Sequence, residues 1–371
     1  MNWPPHRCRF TLITTLVVPG MGACGAEPIP PPIVWEGEHL RFGTDADESE
    51  LCAGTLPYLD GAVGYLGEVF HVSRPSVDYY WMPDGVEPFC AEGALGCGSD
   101  EGVFSRLAIH QHELVHGVRH PRTMALPFEE GLAEAFGDDW APPYDLSSDT
   151  ISVLRDPAEH FPGNGYGRAG HYMSYLLATY GLDTVLELES NTSYHGTGSA
   201  HLERAFEDVF GQSLESSVTE YERDYPRCKM RTYRNKMYDC SRQVVAAPTT
   251  IGDTIEHIVS MKCDDPTVAG LRSGHRWTTV SLEIAEPSRY YIVVGPHDSP
   301  AMELMEIRRC DASCFDYEND VINSTTGYEI GAGFCLEPGR YLFRFAIDED
   351  LEGEYSLNVT RTENYTSCNF E

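Results

Sequence analysis

Basic residues are scarce in this chain. Lysine and arginine together number 26 against 58 aspartates and glutamates, so the net charge is −32 over 371 residues. No basic stripe offsets that field, which excludes nucleic acid as a partner. The charge favours solubility and is silent on substrate. Long apolar runs are missing too: beyond residues 1–24, no stretch is long and apolar enough to cross a bilayer. Internal repeats and low-complexity tracts are also absent, so no repeat architecture is expected.

Cysteine, by contrast, is plentiful. His6, Arg7 and Arg9 precede a short apolar run and small residues, so residues 1–24 read as a secretion signal too short to span a membrane. The tetrapeptide MGAC at 21–24 resembles the lipobox of bacterial lipoproteins, with Met21 where leucine is usual. Of the twelve cysteines, removing Cys8 with the signal leaves an odd number. If Cys24 carries lipid, ten remain, an even set that fits full disulfide pairing in an oxidising compartment. If cleavage falls elsewhere, one thiol stays free. The expectation is a secreted or cell-envelope protein with membrane attachment through a lipidated Cys24, on the bacterial outer membrane. The proline-rich segment 25–34 reads as a tether.

The most informative stretch is HELVHGVRH, residues 112–120. His112 and His116 stand four apart, so on a helix they share one face, about 6 Å apart along the axis, within reach of a single tetrahedral ion. Glu113 follows the first ligand and is placed to work on water rather than to bind metal. A pentapeptide of this kind also arises by accident on an ordinary helix with exposed histidines, so context must decide. Residues 104–118 read as a helix with Leu107, Leu114 and Val118 along one stripe, and the histidine face is offset from it.

Fourteen residues past His116 lies Glu130, within EEGLAE at 129–134. Pro127 suits a helix start, and Leu132, Ala133 and Phe136 give that helix a buried side. Glu130 and Glu134 again share a face. Alone, such a pair is usually a solvated acidic surface. Beside H-E-x-x-H it supplies the missing third ligand, and two histidines with one glutamate and an open position describe a catalytic Zn2+ site. His120 does not compete: His112 and His120 lie about 12 Å apart along a helix, too far for one ion. The glycine and histidine that the metzincin pattern needs are replaced by Arg119 and Arg122.

Together these motifs resemble the gluzincins, the thermolysin-like and aminopeptidase-like superfamily of zinc metallopeptidases. EEGLAEAF is similar to their N-E-G-x-A-E element. The resemblance implies Glu130 as metal ligand and Glu134 as the carboxylate that hydrogen-bonds a metal-bound histidine, here His112. Glu129 is the other candidate for supporting the ligands, yet it stands where the family often has asparagine, a departure that leaves the partner of His116 open. Residues 166–181, YGRAGHYMSYLLATYG, form an amphipathic helix closed by Gly181. They resemble the aromatic helix downstream of the glutamate motif in aminopeptidase-like members. Most of its aromatics are core. Tyr166 first, and His171 second, are the candidates for hydrogen-bonding the oxyanion. No G-A-M-E-N-like element for gripping an amino terminus is present, which favours endopeptidase action.

The expected organisation is a signal at 1–24, a tether at 25–34, a zinc metallopeptidase domain at 35–240 and a β-sandwich at 245–371. In the first domain, strand-like pieces at 77–82 and 103–105 precede helices near 104–119, 128–137, 166–180, 200–210 and 214–224. The segment 102–105 is the candidate strand for binding an extended substrate. Cys90 and Cys97 flank a glycine-rich loop and suggest a local disulfide. After 245, short β-rich segments at 277–284, 290–295, 302–307, 340–347 and 355–360 argue a sandwich. LEPGRYLFRF and GEYSLNV resemble the pre-peptidase C-terminal type of jelly roll. For Cys310 the expected partner is Cys314 or Cys335, a choice the sequence leaves open. The expected fold class is α+β: a zincin-like, mainly helical metallopeptidase domain with a small N-terminal sheet, then an all-β sandwich. The expected function is zinc-dependent hydrolysis of a peptide or protein substrate with Glu113 as general base. The alternatives are an inactive surface-binding protein on a peptidase-like fold and a metal hydrolase of non-peptide bonds.

Overall fold

The computed structural model describes residues 28–121, 124–137, 149–155, 165–192, 199–225, 238–272, 274–296, 304–310, 321–322 and 330–364. The signal and lipobox, with Cys8 and Cys24, lie outside these residues, as do Cys228, Cys314 and Cys368.

The first sheet is built from β1 (Ile33–Glu36) and β2 (Leu40–Thr44), then, beyond helix α1 (Thr55–Val69), β3 (Val77–Trp81), β4 (Gly96–Ser99) and β5 (Gly102–Ser105). Its order is β1-β2-β3-β5-β4. The three central strands run parallel, and the edge strands β1 and β4 run antiparallel to their neighbours. Alternation along β3 divides its residues between two cores. Val77, Tyr79 and Trp81 join α1 in the main core. Tyr80 turns the other way and stacks on Phe104, which in turn stacks on Phe89.

The helices that follow are α2 (Gln111–Val118), α3 (Leu126–Phe136), α4 (Thr150–Arg155), α5 (Gly165–Tyr180), α6 (Leu182–Asn191), α7 (Ser199–Phe210) and α8 (Leu214–Asp224). Their apolar faces enter the same core as α1: Leu114 and Val115 of α2, Phe128 and Leu132 of α3, Tyr172 and Leu176 of α5, and Phe206 of α7.

Beyond a 3-10 turn at Tyr238–Ser241, the chain continues through β6 (Val244–Ala246), β7 (Thr254–Ser260), β8 (Ala269–Arg272), β9 (His275–Ile284), β10 (Ser288–Pro296), β11 (Leu304–Arg309), β12 (Val321–Ile322), β13 (Ile330–Leu336), β14 (Gly339–Asp348) and β15 (Glu354–Asn364). These strands form a four-stranded sheet, β13-β10-β15-β7, and a six-stranded sheet, β12-β11-β14-β9-β6, with β8 paired to β9. Ile292, Leu357 and Val359 of one sheet meet Val280, Leu282 and Phe343 of the other in a single apolar core.

The expectation of a mainly helical metallopeptidase domain with a small N-terminal sheet, ahead of the β-rich region, is overturned. Among the described residues, eight helices accompany fifteen strands in three sheets, so the fold is mixed α+β. The physical reason lies in the strands that escaped notice. β1, β2 and β4 are four or five residues long and two of them carry glycine, as in LRFGT and GCGS, too little chain for alternation to register. The helix expected over 104–118 begins only at Gln111, because residues 102–105 are paired on both sides within the sheet.

Among the described residues, disulfides join Cys52 to Cys263, Cys90 to Cys97 and Cys240 to Cys310. The last replaces both partners expected for Cys310, and Cys335 is itself disulfide-bonded. Such usage fits a protein of an oxidising, extracellular compartment. No helix among the described residues is long and apolar enough to cross a membrane.

Candidate metal centre

Helix α2 is two turns long and carries His112 and His116 on one face. α3 lies against it and brings Glu130 to the same point. His112 Nε2 and His116 Nε2 are each 3.1 Å from Glu130 Oε2, and 3.2 Å from one another. All three side chains are buried. Ligands at about 2.0–2.1 Å from a tetrahedral ion lie about 3.3 Å apart, so this near-equilateral triangle has the dimensions of one face of such a coordination shell. Two imidazoles and a carboxylate are also a donor set that suits a divalent metal. The residues fit a metal ion.

Within the triangle, burial and the attraction between histidine and carboxylate act in opposite directions. Burial penalises ionisation of Glu130, yet the attraction of His116 and hydrogen bonds from both histidines hold its carboxyl well below the usual range. Burial likewise disfavours a charged His112, but hydrogen bonds to Glu130 and Glu134 overcome it and raise its pKa well above the ordinary value. Glu134 Oε1 stands 3.2 Å from His112 Nδ1, the ring nitrogen turned away from the triangle. A carboxylate there sets the tautomer and tilt of the imidazole. α5 packs close enough to hold Glu134 in place: a Cβ on Gly170 would fall 2.5 Å from the Glu134 Cβ.

Glu113 is buried, and its Oε2 has no hydrogen-bond partner among the described residues. A buried carboxylate oxygen with no protein partner is an exception among buried polar groups. Tyr166, half-buried in the first turn of α5, has its ring 5.7 Å from the His112 ring. His171 Nδ1 lies 2.6 Å from the Tyr221 hydroxyl, and its ring packs edge-on against Tyr221 and Tyr225.

Glu129 is adjacent to the triangle in sequence but turned to Arg119. Its two oxygens take a forked pair of hydrogen bonds from that guanidinium at 3.1 and 3.0 Å, with both side chains buried. Arg119 also bonds Glu189 and lies over the Phe70 ring. Glu129 therefore joins the end of α2 to the start of α3. His120 has its Nε2 2.9 Å from Asp100 and takes no part in the triangle.

The segment 102–105, expected to receive an extended substrate, is β5. It is hydrogen-bonded to β3 on one side and β4 on the other, so it has no edge to offer. The strand beside the metal helix with an open edge among the described residues is β4. The Cys90–Cys97 disulfide fastens it, and Gly96 approaches so closely that a Cβ there would lie 2.8 Å from His110 Nδ1 and 3.0 Å from Glu113 Cγ. Two neighbours of the motif went unmarked in the sequence. His110 Nδ1 is 3.0 Å from Ser105 Oγ, and the Gln111 side-chain amide donates to the Tyr58 hydroxyl. The second contact joins residues 53 positions apart, a distance that local pattern cannot bridge.

No protein-family model and no curated protein sequence matches this chain. Solved structures of low similarity include the following three. The pre-peptidase C-terminal domain of a collagenase from Bacillus anthracis is 18% identical over 32% of this chain and 93% of that one, with a TM-score of 0.22. Aminopeptidase A of Legionella pneumophila, solved with aspartic acid, is 9% identical over 84% of this chain and 34% of its own, with a TM-score of 0.32. The enzymatically active domain of tailspike protein 4 from bacteriophage CBA120 is 14% identical over 31% of this chain and 18% of that one, with a TM-score of 0.18. At these scores none assigns a fold or an activity here.

Proposed function

We propose that this chain is a zinc-dependent endopeptidase of gluzincin type, with zinc held by His112, His116 and Glu130. The observation that carries the reading is the buried triangle of ligand atoms with the unpartnered Glu113 oxygen in the same helix turn. A bound zinc ion would supply a Lewis acid that acidifies a water and polarises the scissile carbonyl. Glu113 accepts the proton of the attacking water and returns it to the leaving amine. Tyr166 donates a hydrogen bond to the carbonyl oxygen as negative charge gathers on it. His112 is kept in the correct tautomer by Glu134. The open edge of β4 favours a peptide over a compact small molecule, because an extended backbone can pair with it. Upstream of this domain, the reading places export and lipid attachment at Cys24.

The test is digestion of a broad peptide library. Wild-type protein should cleave at internal bonds, lose activity in a chelator and regain it on adding zinc. Glu113→Gln should keep the metal and lose at least about two powers of ten in rate, the scale of general-base catalysis. Wild-type-like cleavage by Glu113→Gln would sink the mechanism.

A further inference from the structure

The two β-sheets that follow residue 244 are bound into the main body of the protein rather than attached beside it. Ala269 and Trp277 of that region, and Ala346 of β14, are buried within the same core as α1, α2 and α3. Cys52–Cys263 fastens the approach to α1 onto the β region. Backbone hydrogen bonds run from Ala53 N–H to Cys263 O and from Gly54 N–H to Val268 O, at 2.8 and 2.9 Å. Thr55 Oγ1 donates to Gly270 O and accepts from Gly270 N–H. A buried ion pair, Arg344 with Asp239 at 2.9 Å, adjoins it, with the Arg344 guanidinium over the Trp277 ring.

At the centre of this junction stands Tyr58 of α1. Trp277 meets its ring edge-on at 4.8 Å, and the Arg242 guanidinium lies over it at 5.0 Å. The hydroxyl of the same tyrosine accepts the hydrogen bond from Gln111, the residue before His112. Helix α2 needs such an anchor. It has eight residues and no side-chain hydrogen bond at its cap, and a helix so short has little stability of its own. Its rotation, and with it the aim of His112 and Glu113, must come from neighbours.

We propose that Tyr58 is a positioning residue for the metal centre. The C-terminal β region, through Trp277, holds Tyr58, and Tyr58 holds the first turn of α2 by way of Gln111. The inference rests on the metal-site reading given above and deepens it. It gives the β region a role in metal affinity and not only in attachment or solubility.

The experiment measures zinc affinity by chelator competition, alongside thermal unfolding, on the full chain. Tyr58→Phe keeps the ring and removes only the hydroxyl, and it should weaken zinc binding about tenfold, at the lower end of what outer-sphere partners contribute. Tyr58→Phe combined with Gln111→Leu removes both partners, so no buried amide is orphaned and thermal stability should recover. Zinc affinity should stay weak in that double variant. If affinity recovers together with stability, the contact is merely structural and the proposal fails. Trp277→Leu should also weaken zinc binding, whereas Phe343→Leu, in the separate core between the two sheets, should lower the unfolding temperature and leave affinity unchanged. Equal loss in both, or none in Trp277→Leu, would overturn the role of the β region. Wild-type protein that binds no zinc would instead defeat the metal-site reading itself, so the two failures are distinguishable.

Discussion

Glu129, Glu130 and Glu134 show how three carboxylates on one helix receive three different tasks from their partners alone. Glu130 faces two imidazoles, Glu134 faces the far nitrogen of one of them, and Glu129 faces a guanidinium. Glu130→Ala should abolish tight zinc binding, whereas Glu134→Ala should weaken it by about 10–100-fold. Glu129→Ala should keep the metal yet lose stability by about 3 kcal/mol, because it leaves Arg119 buried with one partner fewer. Zinc titration beside denaturant unfolding separates the three, and a Glu129→Ala protein without metal would contradict the assignment. The pKa shifts add a dependence on pH for the metal-free protein. His112 is raised above its ordinary 6.5, so its contribution is present below that value and lost as pH rises through the folded pKa. Glu130 is lowered beneath 4.5, so its contribution is present above that value and lost as pH falls through the folded pKa. With chelator present, the unfolding midpoint should fall at both extremes. Zinc affinity should instead rise with pH, since binding requires a neutral imidazole. A chelated protein whose midpoint stays flat on the alkaline side would show that His112 carries no raised pKa.

The elements differ in how openly they are written in the chain. Helix α5 and strands β9, β14 and β15 stand out because each has a long periodic apolar pattern. The metal triangle is legible for another reason: its chemistry demands fixed residue types at short spacing. Helix α1 was hidden. It contains Gly61, Gly64 and Gly67, which lower helix propensity, and they are there for contact: a Cβ would fall 2.1 Å from the Tyr238 hydroxyl, 2.6 Å from the His39 ring and 2.4 Å from Pro75. Tertiary packing chose those residues, and periodicity cannot report it. The same holds for Tyr58 and Gln111, and for the exchange of roles between β5 and β4, since neighbours in a sheet are set by pairing and not by composition. Strand β4 yields its own prediction. Gly96→Ala places a methyl group against Glu113 and His110, and it should lower kcat about tenfold or more, the scale of a small misplacement near the reacting atoms. Metal content should not change. A normal kcat would remove β4 from the site.

As a whole, the molecule combines an acidic, disulfide-bonded body with a candidate metal site enclosed between α2, α3 and the first turn of α5. If Cys24 is the lipidated residue, the mature protein should partition with membranes and show no free thiol when denatured without reductant. Cys24→Ser should then be soluble with the proposed activity intact, because the proline-rich segment 25–34 reads as a tether between that cysteine and the rest of the chain. A free thiol in the wild type, or solubility without detergent, would count against lipidation and leave the metal centre untouched. The central claim, that His112, His116 and Glu130 hold zinc, is most directly tested by element-specific metal analysis of the purified chain. One zinc per chain is expected in the wild type and in Glu113→Gln, and essentially none in Glu130→Ala. A wild type without stoichiometric zinc, or a Glu130→Ala protein that retains it, would contradict that claim.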